Sequence, residues 1–172
     1  MFLCMLLSGL MGTALSADIV TSYVFMEIVL FSAGYLIYSL QCEKLHPGIK
    51  KHYDPVCKGA TKAAYEYIFM NIIASFFILL SVIELFSGRT GYLAVPGFLI
   101  GMLIKVGAFP FHFWVPTVYS RSPVPVAALL SGSTNAVVLL TFYRFLKLTG
   151  TGILLEAVGL LTMLIGSFFA IG

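Results

Sequence analysis

Charge is what this sequence has least of. Only 10% of its 172 residues are Asp, Glu, Lys or Arg, against roughly 25% in soluble domains. With 60% hydrophobic residues and a mean hydropathy of +1.02, that deficit excludes a water-soluble globule. A core of this size cannot hide so much apolar surface. The basic residues form no patch interleaved with aromatics, so the net charge of +3 belongs to loops and no nucleic-acid partner is expected. Three cysteines, Cys4, Cys42 and Cys57, make no disulfide framework. Cys42, His46, His52 and Cys57 match no standard zinc spacing. A phosphate loop, a nucleophile elbow and a redox CxxC are all missing. The chain is therefore expected to bind no cofactor or metal and to carry out no catalytic chemistry of its own. The first apolar run also lacks a basic region ahead of it. Ala14-Leu15-Ser16-Ala17 resembles a signal-peptidase site, yet without that region the run is read as a retained membrane helix.

What the sequence does have is apolar runs. A spanning helix needs about 20 apolar residues. Six stretches approach that length: Phe2 to Leu15, Ile19 to Leu40, Lys62 to Phe86, Tyr92 to Ala108, Pro125 to Leu148 and Gly152 to Ile171. Asp18 separates the first two. Residues 41–61 are the one long polar segment, with His46-Pro47-Gly48 and Asp54-Pro55 as breakers. The fourth run is interrupted at Pro110 and resumes over Phe111 to Tyr119, so residues 92–119 read as one broken helix. The expected fold is an all-α polytopic membrane protein, a single transmembrane domain over residues 1–172 with about six helices.

Loop lysines and arginines set the expected orientation. Lys44, Lys50, Lys51, Lys58, Lys62 and Arg121 fall on one side, and Arg89, Arg144 and Lys147 on the other. The first side, with the N-terminus and the 41–61 loop, is expected in the cytoplasm, in a protein of the cell's inner membrane.

Charges inside the apolar runs are costly and are functional-site candidates by default. Glu27 lies about 12 Å into the second run and Lys105 about 20 Å into the fourth, at the helical rise per residue. If those helices are neighbours, the two can pair. A proton relay is one reading. A structural ion pair, or a lysine snorkelling to the interface, is the other. His112, just past the break, could relay protons or cap freed carbonyls. Lys62 and Glu66, one turn apart, suit a snorkelling interfacial pair or the mouth of a path. Ser131, Ser133, Thr134 and Asn135 form a polar cluster that serves either helix packing or a hydrated path. Glu84 is placed beside Arg89 across a turn, Glu156 suits the first turn of the last helix, and Trp114 reads as an interface anchor.

The run Lys105-Val-Gly-Ala-Phe-Pro-Phe-His-Phe-Trp-Val-Pro, followed by Ser122-Pro-Val-Pro-Val-Ala-Ala-Leu-Leu-Ser-Gly, resembles the signature of proton-conducting antiporter-like membrane subunits. These occur in respiratory complex I, Mrp-type sodium/proton antiporters and related membrane-bound hydrogenases. Gly12 to Tyr35, with Phe25-Met26-Glu27, resembles the family's fourth and fifth helices, and Ala63-Ala-Tyr-Glu-Tyr67 the start of its sixth. The resemblance implies that Glu27 is the fifth-helix glutamate and Lys105 the seventh-helix lysine, a pair that tunes the lysine's proton affinity. It implies a broken seventh helix and a fold built from two inverted five-helix repeats, of which this chain holds the first plus one helix. The sequence departs from the family in two further ways. Glu66 stands where the sixth helix usually starts with lysine, with Lys62 one turn earlier. The basic residue of the eighth helix is replaced at Ala136 and Ser131. The implied function is a proton or sodium half-channel coupled to redox chemistry in partner subunits, one of which could supply the second repeat. The alternative is a non-conducting module that seals the membrane arm. A stand-alone transporter fits poorly, because half an inverted repeat cannot form the usual site.

Overall fold

The computed structural model describes residues 1–42, 50–87, 94–149, 156–157 and 159–164, giving only the backbone course of 40–42, 50–58 and 148–149. Among the described residues every regular element is a helix. In chain order these are α1 (Phe2–Leu15), α2 (Ile19–Cys42), α3 (Lys50–Phe86), α4 (Ala94–Val106), α5 (Trp114–Arg121), α6 (Val124–Leu129), a π-helical turn (Leu130–Thr134) and α7 (Asn135–Thr149). Residues 156–157 and 159–164 are helical and, apart from the half-buried Thr162, exposed. Ile19–Ser39, Gly59–Phe86 and Val124–Lys147 are long and apolar enough to cross a membrane, and Phe2–Leu15 and Ala94–Val106 are shorter apolar helices. The chain has the all-α architecture of a membrane protein.

These helices are apolar nearly all round, so hydrophobicity alone cannot choose their contact faces. Small residues choose them instead. α1 packs on α2, α2 on α3, and α3 on α4 and α5. α7 closes the bundle against α4, α1 and α2. Ala33, Ala60, Ala63 and Ala74 are wholly buried at these crossings. At Gly101 on α4 a Cβ would come within 2.7 Å of the Ala74 carbonyl oxygen on α3, so only glycine lets the two backbones approach so closely.

The core falls into two clusters. One holds Leu10, Val29, Ala74, Ile104, Trp114 and Val118. The other holds Met26, Ile78, Phe98, Met102, Val138 and Phe142. Glu27, Ser75 and Lys105 lie between neighbours drawn from both, at the seam of the bundle.

Three boundaries differ from the sequence reading. α3 begins at Lys50, twelve residues before Lys62, so 50–61 of the polar segment is helical. The helix passes through Pro55, which removes only one backbone donor near its start. The fifth run is one helix from Val124 to Thr149 interrupted by a wide π turn. Finally, α4 ends at Val106, before Pro110 is reached. Gly107 adopts φ +70°, its N–H donates to Ile104 O at 3.1 Å, and the Ala108 N–H donates to Leu103 O at 2.9 Å. That pair of bonds with a left-handed glycine is a Schellman cap. Pro110, joined to Phe109 by a cis peptide bond, lies in the connection that follows. The break is thus a capped helix end at Gly107 rather than a proline kink. His46, the Cys42, His52 and Cys57 side chains, Arg89 and the remainder of the last run lie outside the described residues.

Candidate functional site

The site starts from α4. Its 13 residues make a helix of about 20 Å, too short to cross about 30 Å of hydrocarbon. Capping at Gly107 puts Lys105 in its last turn, within the bundle. Lys105 is 7% exposed. An ammonium so placed requires a charged or hydrogen-bonding partner, and α2 and α3 supply both. Lys105 Nζ is 3.5 Å from Glu27 Oε1. It also donates to Ser75 Oγ at 3.0 Å, and the Ser75 hydroxyl in turn donates to Glu27 Oε1. Three adjacent helices thus each contribute one member of a closed triangle. The Glu27 side chain remains 24% exposed and that of Lys105 5%, so the pair opens outward on the α2 side only.

Inward of Lys105 lies a cavity of about 20 Å³, room for about one water. Tyr67, Asn71, Tyr119, Thr134 and Asn135 give it polar walls among apolar ones. Asn135 Nδ2 reaches Tyr119 Oη at 3.4 Å, and Thr134 Oγ1 donates to Leu129 O at 3.5 Å across the π turn. π turns are frequent at functional sites because the wide turn displaces one side chain from helical register.

The cap leaves backbone carbonyls at the end of α4 that lipid could not satisfy. Trp114 adds a second donor to one carbonyl of the cap, giving its indole N–H to Ile104 O at 3.2 Å. It is 5% exposed and edges onto Tyr67 at 5.9 Å between ring centroids. Trp114 therefore plugs the break from inside and does not anchor at an interface.

The structure brings Glu27 and Lys105 together, with Thr134 and Asn135 on the cavity beyond. It does not bring in the other candidates. His112 sits half-buried in the connection, stacked near Phe109 at 6.1 Å, and is not among the residues that line the cavity. Ser131 is exposed and bonds back to Ala128 O at 3.2 Å. Lys62 and Glu66 pair at 3.7 Å, with the lysine side chain 62% exposed; Glu66 is about 13 Å and Lys62 about 20 Å along α3 from Ser75. Glu84 is part-buried and Glu156 exposed. The residues that sequence reasoning missed are Ser75, Tyr67 and Asn71. They recur every fourth residue along one buried face of α3, and that polar stripe within an apolar run was the available signal.

Residues 90–172 match the family model described as "NADH:quinone oxidoreductase/Mrp antiporter, TM". Three curated relatives are named as subunit N of an NADH-quinone oxidoreductase. That of Chromohalobacter salexigens is 31% identical over 139 residues, 66% of this chain and 29% of the relative. That of Mycobacteroides abscessus is 42% identical over 78 residues, 42% of this chain and 14% of the relative. The Rhizobium meliloti protein, subunit N 2, is 26% identical over 190 aligned positions, 96% of this chain and 36% of the relative. The chain thus spans little more than a third of these relatives at most. A lysine on a capped, broken helix, a glutamate beside it and these matches lead to one conclusion: the chain belongs to the proton-antiporter-like membrane subunits of the complex I family.

Proposed function

We propose that this chain forms a proton half-channel in a complex I-like membrane assembly, working beside other membrane subunits and driven by redox chemistry in its partners. The single observation that carries the reading is the Lys105–Glu27 contact of 3.5 Å, with Lys105 almost wholly enclosed. Buried charges in membranes mark ion paths more often than packing devices. Protons would meet Glu27 on its open side, pass to Lys105, and leave toward the cavity by Tyr119, Thr134 and Asn135. In this reading the transported ion is the proton rather than sodium, because the site offers one carboxylate and one hydroxyl oxygen rather than a ring of oxygen ligands. His112 would act later on the route, and Lys62 with Glu66 at its cytoplasmic mouth. The second repeat would come from sequence outside these residues, on this or another chain. The N-terminus and the segment around 41–61 would face the cytoplasm in the cell's inner membrane.

A non-conducting sealing role is the second reading. It is favoured by one observation: Ala136 and Ser131, where the family's eighth helix carries its basic residue, are both exposed rather than turned to the cavity. The two readings separate on Lys105→Met and Glu27→Gln, with proton uptake into vesicles measured per assembled complex. The half-channel predicts intact assembly with uptake strongly suppressed by Lys105→Met and less so by Glu27→Gln. Normal uptake by assembled Lys105→Met would hand the chain to the sealing role.

A further inference from the structure

Ser75 stands between the two charges, and nothing in the pairing of Glu27 with Lys105 requires it there. The direct nitrogen–oxygen separation is 3.5 Å, longer than the roughly 2.7–2.9 Å of a charge-assisted hydrogen bond. The continuous hydrogen-bonded route runs instead through the serine, which accepts from Lys105 Nζ at 3.0 Å and donates to Glu27 Oε1. Ser75 is 4% exposed. Its position is fixed from both sides. Ala74 beside it is wholly buried and meets Gly101, one turn before Lys105, at a distance that admits no side chain. A serine in a membrane helix usually bonds back to its own backbone; this one reaches two ionisable groups on two other helices.

We propose that Ser75 is the proton relay between Lys105 and Glu27. The inference rests on the half-channel reading above. The Lys105 ammonium gives one proton to Ser75 Oγ as the serine's own hydroxyl proton passes to the Glu27 carboxylate. One N–H bond and one O–H bond break. One O–H bond forms on Ser75 and one on Glu27. The lysine ends as a neutral amine, the glutamate as a neutral acid, and the serine is regenerated with its other proton. The reverse step restores the ion pair. In a low-dielectric interior the charged and neutral forms of such a pair lie close in energy, so a shift in either neighbour's surroundings can drive the transfer without moving a helix. A hydroxyl suits the task because it donates and accepts at once, which neither the ammonium nor the carboxylate does alone.

The test compares Ser75→Ala, Ser75→Thr and Lys105→Met in the assembled complex. Proton uptake into vesicles is measured per complex, together with infrared difference spectra in which the Glu27 carboxyl band is assigned by its loss in Glu27→Gln. Ser75→Ala is expected to assemble normally, to slow uptake at least about tenfold, modest beside the ~10²–10⁴ of a positioned proton-transfer group, and to shift the carboxyl band. Ser75→Thr, which keeps the hydroxyl, is expected to restore both. Wild-type uptake by Ser75→Ala with Lys105→Met defective would overturn the relay alone. Wild-type uptake by both would remove the half-channel reading and the relay with it. Failure of assembled Ser75→Thr to rescue, or an unmoved carboxyl band, would likewise overturn the relay. Should Ser75→Ala not assemble, Ser75→Cys, with a similar shape and a weak donor, gives the same comparison: slowed uptake supports the relay, and unchanged uptake overturns it.

Discussion

At the scale of single residues, this chain keeps two charges where charge is expensive and surrounds them unequally. Lys105 is enclosed and doubly partnered, while Glu27 is left part-open on α2. The pair therefore has a closed end and an open end, as a proton entry needs. Its members should act as a unit. Removing either one leaves a buried charge that must be neutralised or costs about 3–5 kcal/mol. A double-mutant cycle of Glu27→Gln and Lys105→Met, read as the melting of the detergent-solubilised complex, should therefore be strongly non-additive. The double variant should be more stable than the sum of the singles predicts, by about 0.5–3 kcal/mol. Additive losses would mean that the two side chains do not sense each other.

At the scale of elements, the breaking of α4 matters more than its path. Gly107 in its left-handed conformation ends the helix and turns the chain so that Trp114 can fold back onto Ile104 O. A Cβ at residue 107 would lie 2.2 Å from Val115 Cγ2. Gly107→Ala should thus strain the backbone by about 1–3 kcal/mol and displace α5. The expected result is a lower melting temperature and reduced uptake together, since Lys105 is two residues away; a variant that melts as wild type would show that the cap is dispensable. Here the sequence was only partly legible. Apolar runs located α1 exactly as far as Leu15 and α2 from Ile19, because Asp18 interrupts an otherwise unbroken hydrocarbon-compatible stretch. Pro110 drew attention away from Gly107, because a proline signals a break on its own whereas a capping glycine is recognised only from its hydrogen bonds. The start of α3 was hidden because Lys50 to Thr61 is polar, and polarity tells of water rather than of coil. Ser75 was hidden because one serine in an apolar helix has no distinct pattern until Tyr67 and Asn71 are seen on the same face. The π turn gave no signal beyond its small and polar composition.

At the scale of the whole molecule, the bundle has a definite up-and-down order. Arg144 on α7 donates to Ser16 O at 3.0 Å and Ala14 O at 2.8 Å, joining the end of α1 to the end of the last described span. A cation at a helix C-terminus meets both the free carbonyls and the negative end of the dipole. At the opposite end, Arg121 lies close to Gly59 near the entry of α3 into the bundle. Two ends are thereby defined, and the orientation proposed from the excess of lysine around residues 44–62 would put the second of them in the cytoplasm. An impermeant maleimide applied to right-side-out cells should therefore leave a variant whose sole cysteine is Cys57 unlabelled until the membrane is opened; strong labelling of intact cells would invert the topology. The broad apolar faces of α2 and α3, with Phe31, Tyr35, Phe69 and Phe76 exposed, suit lipid tails or neighbouring membrane subunits. The open side of Glu27, in contrast, suits only a protein or water-filled neighbour.

The claim that binds these scales together is that Lys105 gives up its proton and takes it back. Arginine keeps the charge and the pairing with Glu27 but cannot release a proton in a protein. Proton uptake by vesicles carrying assembled Lys105→Arg complex is therefore the most direct measurement. The half-channel predicts normal assembly with uptake reduced about tenfold or more, to the level of Lys105→Met. Uptake at the wild-type rate by the assembled arginine variant would contradict it, and would leave the pair as a structural bond between α2 and α4.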